Sequence, residues 1–142
     1  MDLKRSSILN ITLRKIYPFI IIISLYMVVY SSNYPGGGFQ SGVIAGTMII
    51  VFNMFSDKRD FKHSLYVRIE LLGFLLFMIS VFMILYSESF LERFYSFSLP
   101  SEMFSNIGMN LLNLSIYLEV TGSIVLIFYY FIKGVEFEKE SF

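Results

Sequence analysis

Apolar residues in this chain arrive in four long blocks separated by short polar stretches. The blocks cover about residues 16–32, 38–55, 67–86 and 107–132. Each reaches the roughly 17–25 predominantly apolar residues that a membrane-crossing helix needs. Backbone amides and carbonyls in hydrocarbon must pair within their own segment, so each block is predicted to be helical, even across the strand-prone run "FIIII". The first block, "IYPFIIIISLYMVVYSS", lacks a small-residue cleavage site and is followed by further spans, so it does not read as a signal peptide. The pattern predicts an all-α integral membrane protein of four transmembrane helices, in a single membrane domain over residues 1–142.

The polar interruptions differ in kind. The loop over residues 87–106 is too long for a simple turn, and in it Phe90, Leu91, Phe94 and Phe97 recur at helical spacing. That predicts a short amphipathic helix lying in the membrane interface, ended by Pro100, with Ser105 or Asn106 capping the last span. The tail over residues 133–142, "KGVEFEKESF" without its surroundings, mixes charge signs and is expected to be solvated.

Charge sets the orientation. Lys4, Arg5, Arg14, Lys15, Lys58, Arg59, Lys62, Arg68, Lys133 and Lys139 fall on one side of the spans, and only Arg93 falls on the other. The positive-inside rule then places both termini in the cytoplasm, in a multi-pass plasma (inner) membrane protein. Composition agrees, with 56% hydrophobic and only 15% charged residues against about 25% charged in soluble domains. A formal net charge of zero gives nucleic acid no general attraction. Cysteine is absent, which excludes disulfides, thiolate metal sites and cysteine nucleophiles. The single histidine, His63, reads as a solvated loop residue and cannot alone build a metal site.

The segment "NYPGGGFQSGVIAG" joins the first two spans without any charge. Pro35 suits the end of an outer turn, and Gly36, Gly37 and Gly38 permit positive φ angles there. Gly38, Gly42 and Gly46 then recur every four residues beside Ser41 and Ala45. Such a small-residue stripe lets another helix approach closely, and the neighbour can lie within the chain or on another subunit. A glycine-rich helix start also suits an anion, but the phosphate-loop pattern requires a lysine and a strand that are missing here.

"PGGGFQSG", after one span and opening a second, resembles the PGGGF-x-x-G signature of the B subunit of Mrp-type multisubunit Na+/H+ antiporters (MrpB/MnhB). Pro35, Gly36, Gly37, Gly38, Phe39 and Gly42 match it. In the last span "NLSIYLEVTG" is similar to the family's Asp-Ile-Gly-Val-Tyr-Leu-Val-Val-x-Gly run, with Tyr117, Leu118, Val120 and Gly122 matching. Asn113 stands where the family usually has an aspartate, Ser115 replaces a glycine and Glu119 replaces an apolar residue. The resemblance implies an accessory subunit that works beside larger antiporter-like subunits and does not transport alone. It implies no cofactor in this chain, with Na+ or H+ as the transported ion. The same module also occurs in membrane-bound hydrogenases, which makes a purely structural scaffold in a redox-driven ion pump the alternative reading. A parent complex of that kind would be an ion-translocating oxidoreductase, while this chain by itself is expected to be non-catalytic.

Two carboxylates lie within the spans. Glu119 falls near the middle of the fourth, where a charge costs at least roughly 2.5–3.5 kcal/mol and so needs a partner, a cavity or a proton. It is a candidate for the ion path, against a buried structural acid. Glu70, near the cytoplasmic end of the third span, reads as an interfacial acid paired with Arg68 or Lys62, or as the mouth of the same path. Ser115 lies four residues before Glu119 on one helix face, and Asn113 adds a polar group to the same span. No base–nucleophile pair, metal-ligand spacing or dinucleotide motif accompanies them. A stand-alone membrane carrier or signalling anchor is the remaining rival.

Overall fold

The computed structural model describes residues 7–31, 36–55, 62–89 and 101–140. They form four α-helices: α1 (Ser7–Val29), α2 (Gly38–Phe55), α3 (His63–Ser89) and α4 (Ser101–Glu140). All four are long and apolar enough to cross a membrane, and the described residues contain no strand. The protein is a multi-pass membrane protein, and its described elements are all helices.

The second span agrees with its expected limits. The other three helices are longer than their apolar blocks. α1 begins at Ser7 and runs through Pro18 without breaking, because a proline costs only one backbone pair, which neighbouring groups can replace. α3 starts one turn before the expected span, at His63. α4 starts at Ser101, earlier than a cap at Ser105 or Asn106 would allow, and continues to Glu140 through most of the expected tail. Apolar content marks the part of a helix that lies in lipid, and a helix does not end where lipid does. The proposed interfacial helix, with Phe90, Leu91, Phe94, Phe97 and Pro100, lies outside the described residues, as does Pro35.

α4 is the central helix. Its most extensive contacts are with α3, then with α2, while α1 closes mainly on α2. α1 and α2 are antiparallel, with Met27 against Gly36 at one end and the Tyr17 and Phe52 rings 4.5 Å apart at the other. A small core of Val28, Ala45 and Tyr117 joins α1, α2 and α4. Buried Ser24 donates to the Ile21 carbonyl (2.8 Å), which leaves the Tyr117 hydroxyl as donor to Ser24 Oγ at 3.4 Å.

The glycine stripe of α2 faces α4 of the same chain. A Cβ at Gly38 would collide with the Asn113 carbonyl oxygen, one at Gly42 would lie 2.9 Å from Val120 Cβ, and one at Gly46 3.2 Å from Ile124 Cβ. Each step of four along α2 is matched by a step of four along α4, so the two helices run parallel. Ser41 and Ala45 are buried in the same contact. The Thr121 hydroxyl donates to the Tyr117 carbonyl (2.7 Å), with the Gly42 carbonyl of α2 as a longer acceptor at 3.3 Å. Close backbone approach of this kind is how helices associate in lipid, where water exclusion contributes little. The three consecutive glycines divide their roles. Gly36 alone among the described residues takes a positive φ (145°), whereas Gly38 is already helical and is there for space.

Candidate functional site

The seam between α3 and α4 holds both membrane carboxylates, Glu70 and Glu119. Glu70 and Gly73 on α3 have the spacing of Glu119 and Gly122 on α4. The helices are antiparallel, so the two motifs meet reciprocally. A Cβ at Gly73 would lie 2.7 Å from the Glu119 amide nitrogen and 3.0 Å from the Ser115 carbonyl oxygen. One at Gly122 would lie 3.1 Å from both the Glu70 nitrogen and its Cβ. Each glutamate's backbone therefore rests on the other helix's glycine. Toward the opposite end, Gly108 continues the pattern against Ile84 Cγ1 (2.9 Å).

This register puts Glu70 and Glu119 on adjacent turns of one interface, separated along the axis by about 4.5 Å, three residues at 1.5 Å each. Both are half-buried. The Ser123 hydroxyl donates to Glu70 Oε1 at 2.6 Å. Ser123 thus takes the place expected for Arg68 or Lys62. Residues two apart on a helix do not face each other, which separates Arg68 from Glu70, and Lys62 lies about two turns away. Because α3 begins at His63, Glu70 sits two turns inside the helix and not at its edge.

Glu119 lies near the middle of the apolar window Asn106–Val135, as expected. Ser115 is fully buried beside it and donates to the Leu112 carbonyl (2.7 Å). Asn113 is half-buried and presents its carbonyl to Gly38, so its backbone belongs to the α2 contact and not to the α3 seam. Thus Glu70, Glu119 and Ser115 lie along the same α3–α4 seam, whereas the Asn113 backbone faces α2. Of the glycine signature, Gly38, Gly42 and Gly46 pack on α4, Gly36 turns the chain, Gly37 has open space around its Cα, and Phe39 is exposed.

Sequence reasoning missed the function of Gly73, Gly108 and Ser123. The repeated Glu-x-x-Gly spacing in two spans was the available signal. His63 also departs from expectation. It is the first residue of α3, half-buried, with Nε2 2.8 Å from the Tyr130 hydroxyl. Among the described residues no buried side-chain nitrogen or oxygen lacks a partner, and no three His, Asp or Glu residues converge as metal ligands. A groove of about 340 Å³ between α1 and α4, lined by Val28, Val29, Ile107, Asn110, Leu111 and Leu114, is almost wholly apolar and offers an ion little.

A family model described as "Domain related to MnhB subunit of Na+/H+ antiporter" matches residues 8–126. No curated protein and no solved structure matched the chain. The matched segment holds the glycine stripe, both membrane carboxylates and the part of the α3–α4 seam around them, and ends within the last span. With most of its length accounted for in this way, the chain belongs to the family of domains related to the MnhB subunit of Na+/H+ antiporters.

Proposed function

We propose that this chain is an accessory membrane subunit of a multisubunit Na+/H+ antiporter, and that its α3–α4 seam helps form the cation/proton path at a subunit interface. The observation that carries this reading is the reciprocal Glu-x-x-Gly contact, which brings two carboxylates from different helices to adjacent turns inside the apolar layer. Ionisable groups at that depth are costly and are a mark of ion pathways and proton relays. A carboxylate that exchanges H+ for Na+ must be sheltered from lipid yet reachable, and half-burial at a seam meets both requirements. The chain itself carries out no bond chemistry. It needs no bound cofactor, and Na+ or H+ is its cargo. Its partners are the other membrane subunits of the complex.

The distribution of basic residues supports a plasma-membrane protein with both termini cytoplasmic and the Gly36–Gly38 turn outside. A cysteine at Gln40, an exposed position at the start of α2, should then react with an impermeant maleimide from the outer side only. Labelling only from the inner side would reverse the orientation.

The function is tested by Na+/H+ exchange in vesicles containing the assembled complex with Glu119→Gln. Exchange is expected to fall at least about tenfold, a lower bound beside the roughly 10²–10⁴-fold that positioned proton-transfer groups contribute. Unchanged exchange with intact assembly would leave this chain as a scaffold.

A further inference from the structure

α3 carries three proton-active residues at steps of three and four: His63, Tyr66 and Glu70. Such positions share one helix face. Contacts at both ends show that the face meets α4, with His63 against Tyr129 and Tyr130, and Glu70 against Gly122 and Ser123. The imidazole lies tilted on the Tyr129 ring, centroids 5.1 Å apart, and edge-on to Tyr130 at 5.5 Å. Its Nε2 is 2.8 Å from the Tyr130 hydroxyl. The chain's only histidine is therefore held in a fixed pose by α4, at the end of the α3 apolar window. From there the seam rises about 10 Å to Glu70 and a further 4.5 Å or so to the level of Glu119.

Histidine is the side chain that changes charge between pH 5 and 8, and a tyrosine hydroxyl both donates and accepts. Resting on the ion-path reading of Glu70 and Glu119, we propose that His63 and Tyr130 form the proton port of this seam, linking the carboxylates to water at the basic end of the helices. A proton from water adds at Nδ1, and Nε2 passes its own proton to the Tyr130 oxygen. Tyr130 in turn releases its hydroxyl hydrogen toward Glu70. One proton enters and one leaves. Histidine is left as its other neutral tautomer, which exchange with water resets, and tyrosine is unchanged. Tyr66 lies between His63 and Glu70 along the same helix and interacts electrostatically with Tyr17 of α1, so the remaining distance along the seam is left to water. The ionisable groups around the port are Lys62 just before it, Tyr66 and Glu70 on its own helix, and Tyr129, Tyr130 and Lys133 from α4. Arg68 stands off the seam face.

The test is the pH profile of Na+-driven proton movement in vesicles holding the assembled complex. His63→Gln keeps a hydrogen-bonding amide beside Tyr130 but cannot titrate, and Tyr130→Phe keeps the ring packing while removing the relay oxygen. Each is expected to slow exchange about tenfold. His63→Gln also alters the shape of the pH profile, because an amide cannot take up the proton that an imidazole relays. Profiles of both variants superimposable on the wild type would overturn the port. If Glu70→Gln and Glu119→Gln abolish exchange while those profiles stay unchanged, the port falls and the carboxylate path stands. If the glutamine variants at both acids leave exchange unchanged, path and port fall together. Should His63→Gln fail to assemble, Tyr130→Phe decides the matter alone.

Discussion

At the scale of single residues, the seam depends on glycine for lack of a side chain and not for backbone freedom. Gly73 has an ordinary helical conformation, yet a Cβ there would meet the Glu119 amide nitrogen at 2.7 Å, backbone that cannot swing aside. Gly73→Ala is therefore expected to destabilise the helix pair by about 1–3 kcal/mol, the usual cost of overpacking. Gly134→Ala meets nothing within 4 Å and should be neutral or stabilising by up to about 1 kcal/mol, since alanine favours helix. Unfolding of the two variants in detergent, followed side by side, checks this, and equal stabilities would contradict the packing. Glu119 stood out in the sequence because a charge in an apolar block is conspicuous. Gly73 and Ser123 did not, since small residues in a membrane span are common and their meaning depends on what lies opposite. His63 was misread for a related reason. The stretch before it, residues 57–62, is mostly charged, but its contacts come from Tyr129 and Tyr130, on another helix.

At the scale of elements, two glycine contacts of opposite sense fix α4. Along α2 the register advances in parallel, Gly42 by Val120 and Gly46 by Ile124, and along α3 it runs back, Gly73 by Glu119 and Gly122 by Glu70. The existence and type of all four helices were legible from block length and apolar content alone. The stripe on α2 was also legible, because three glycines at intervals of four have one geometric consequence. Which helix they would meet was not, since a bare ridge accepts any close neighbour, from this chain or another. The structure assigns that neighbour to α4. The chain has no cysteine, so a pair introduced at Gly46 and Ile124 reports on the register without background. The Cβ positions lie 3.2 Å apart, near the 3.5–4.5 Å of a disulfide. Oxidation is expected to close this bridge within one chain. A bridge between chains, or none, would contradict the parallel α2–α4 contact.

At the scale of the molecule, the four helices make a thin assembly. The fully buried apolar side chains among the described residues cluster around α4, while α3 turns Leu71, Leu72, Phe74, Leu75 and Phe82 outward. Those faces need lipid or neighbouring subunits to cover them, as membership in a multisubunit antiporter family implies. The seam is then an internal joint whose partner helices both also meet the surroundings, as the proposed ion path requires. If Glu70 and Glu119 serve one path, their losses should not add. The decisive measurement is the rate of Na+/H+ exchange by the assembled complex in vesicles carrying Glu70→Gln, Glu119→Gln or both. The account predicts that each single variant lowers the rate at least about tenfold and that the double variant falls little further. Wild-type rates in all three assembled complexes would contradict it.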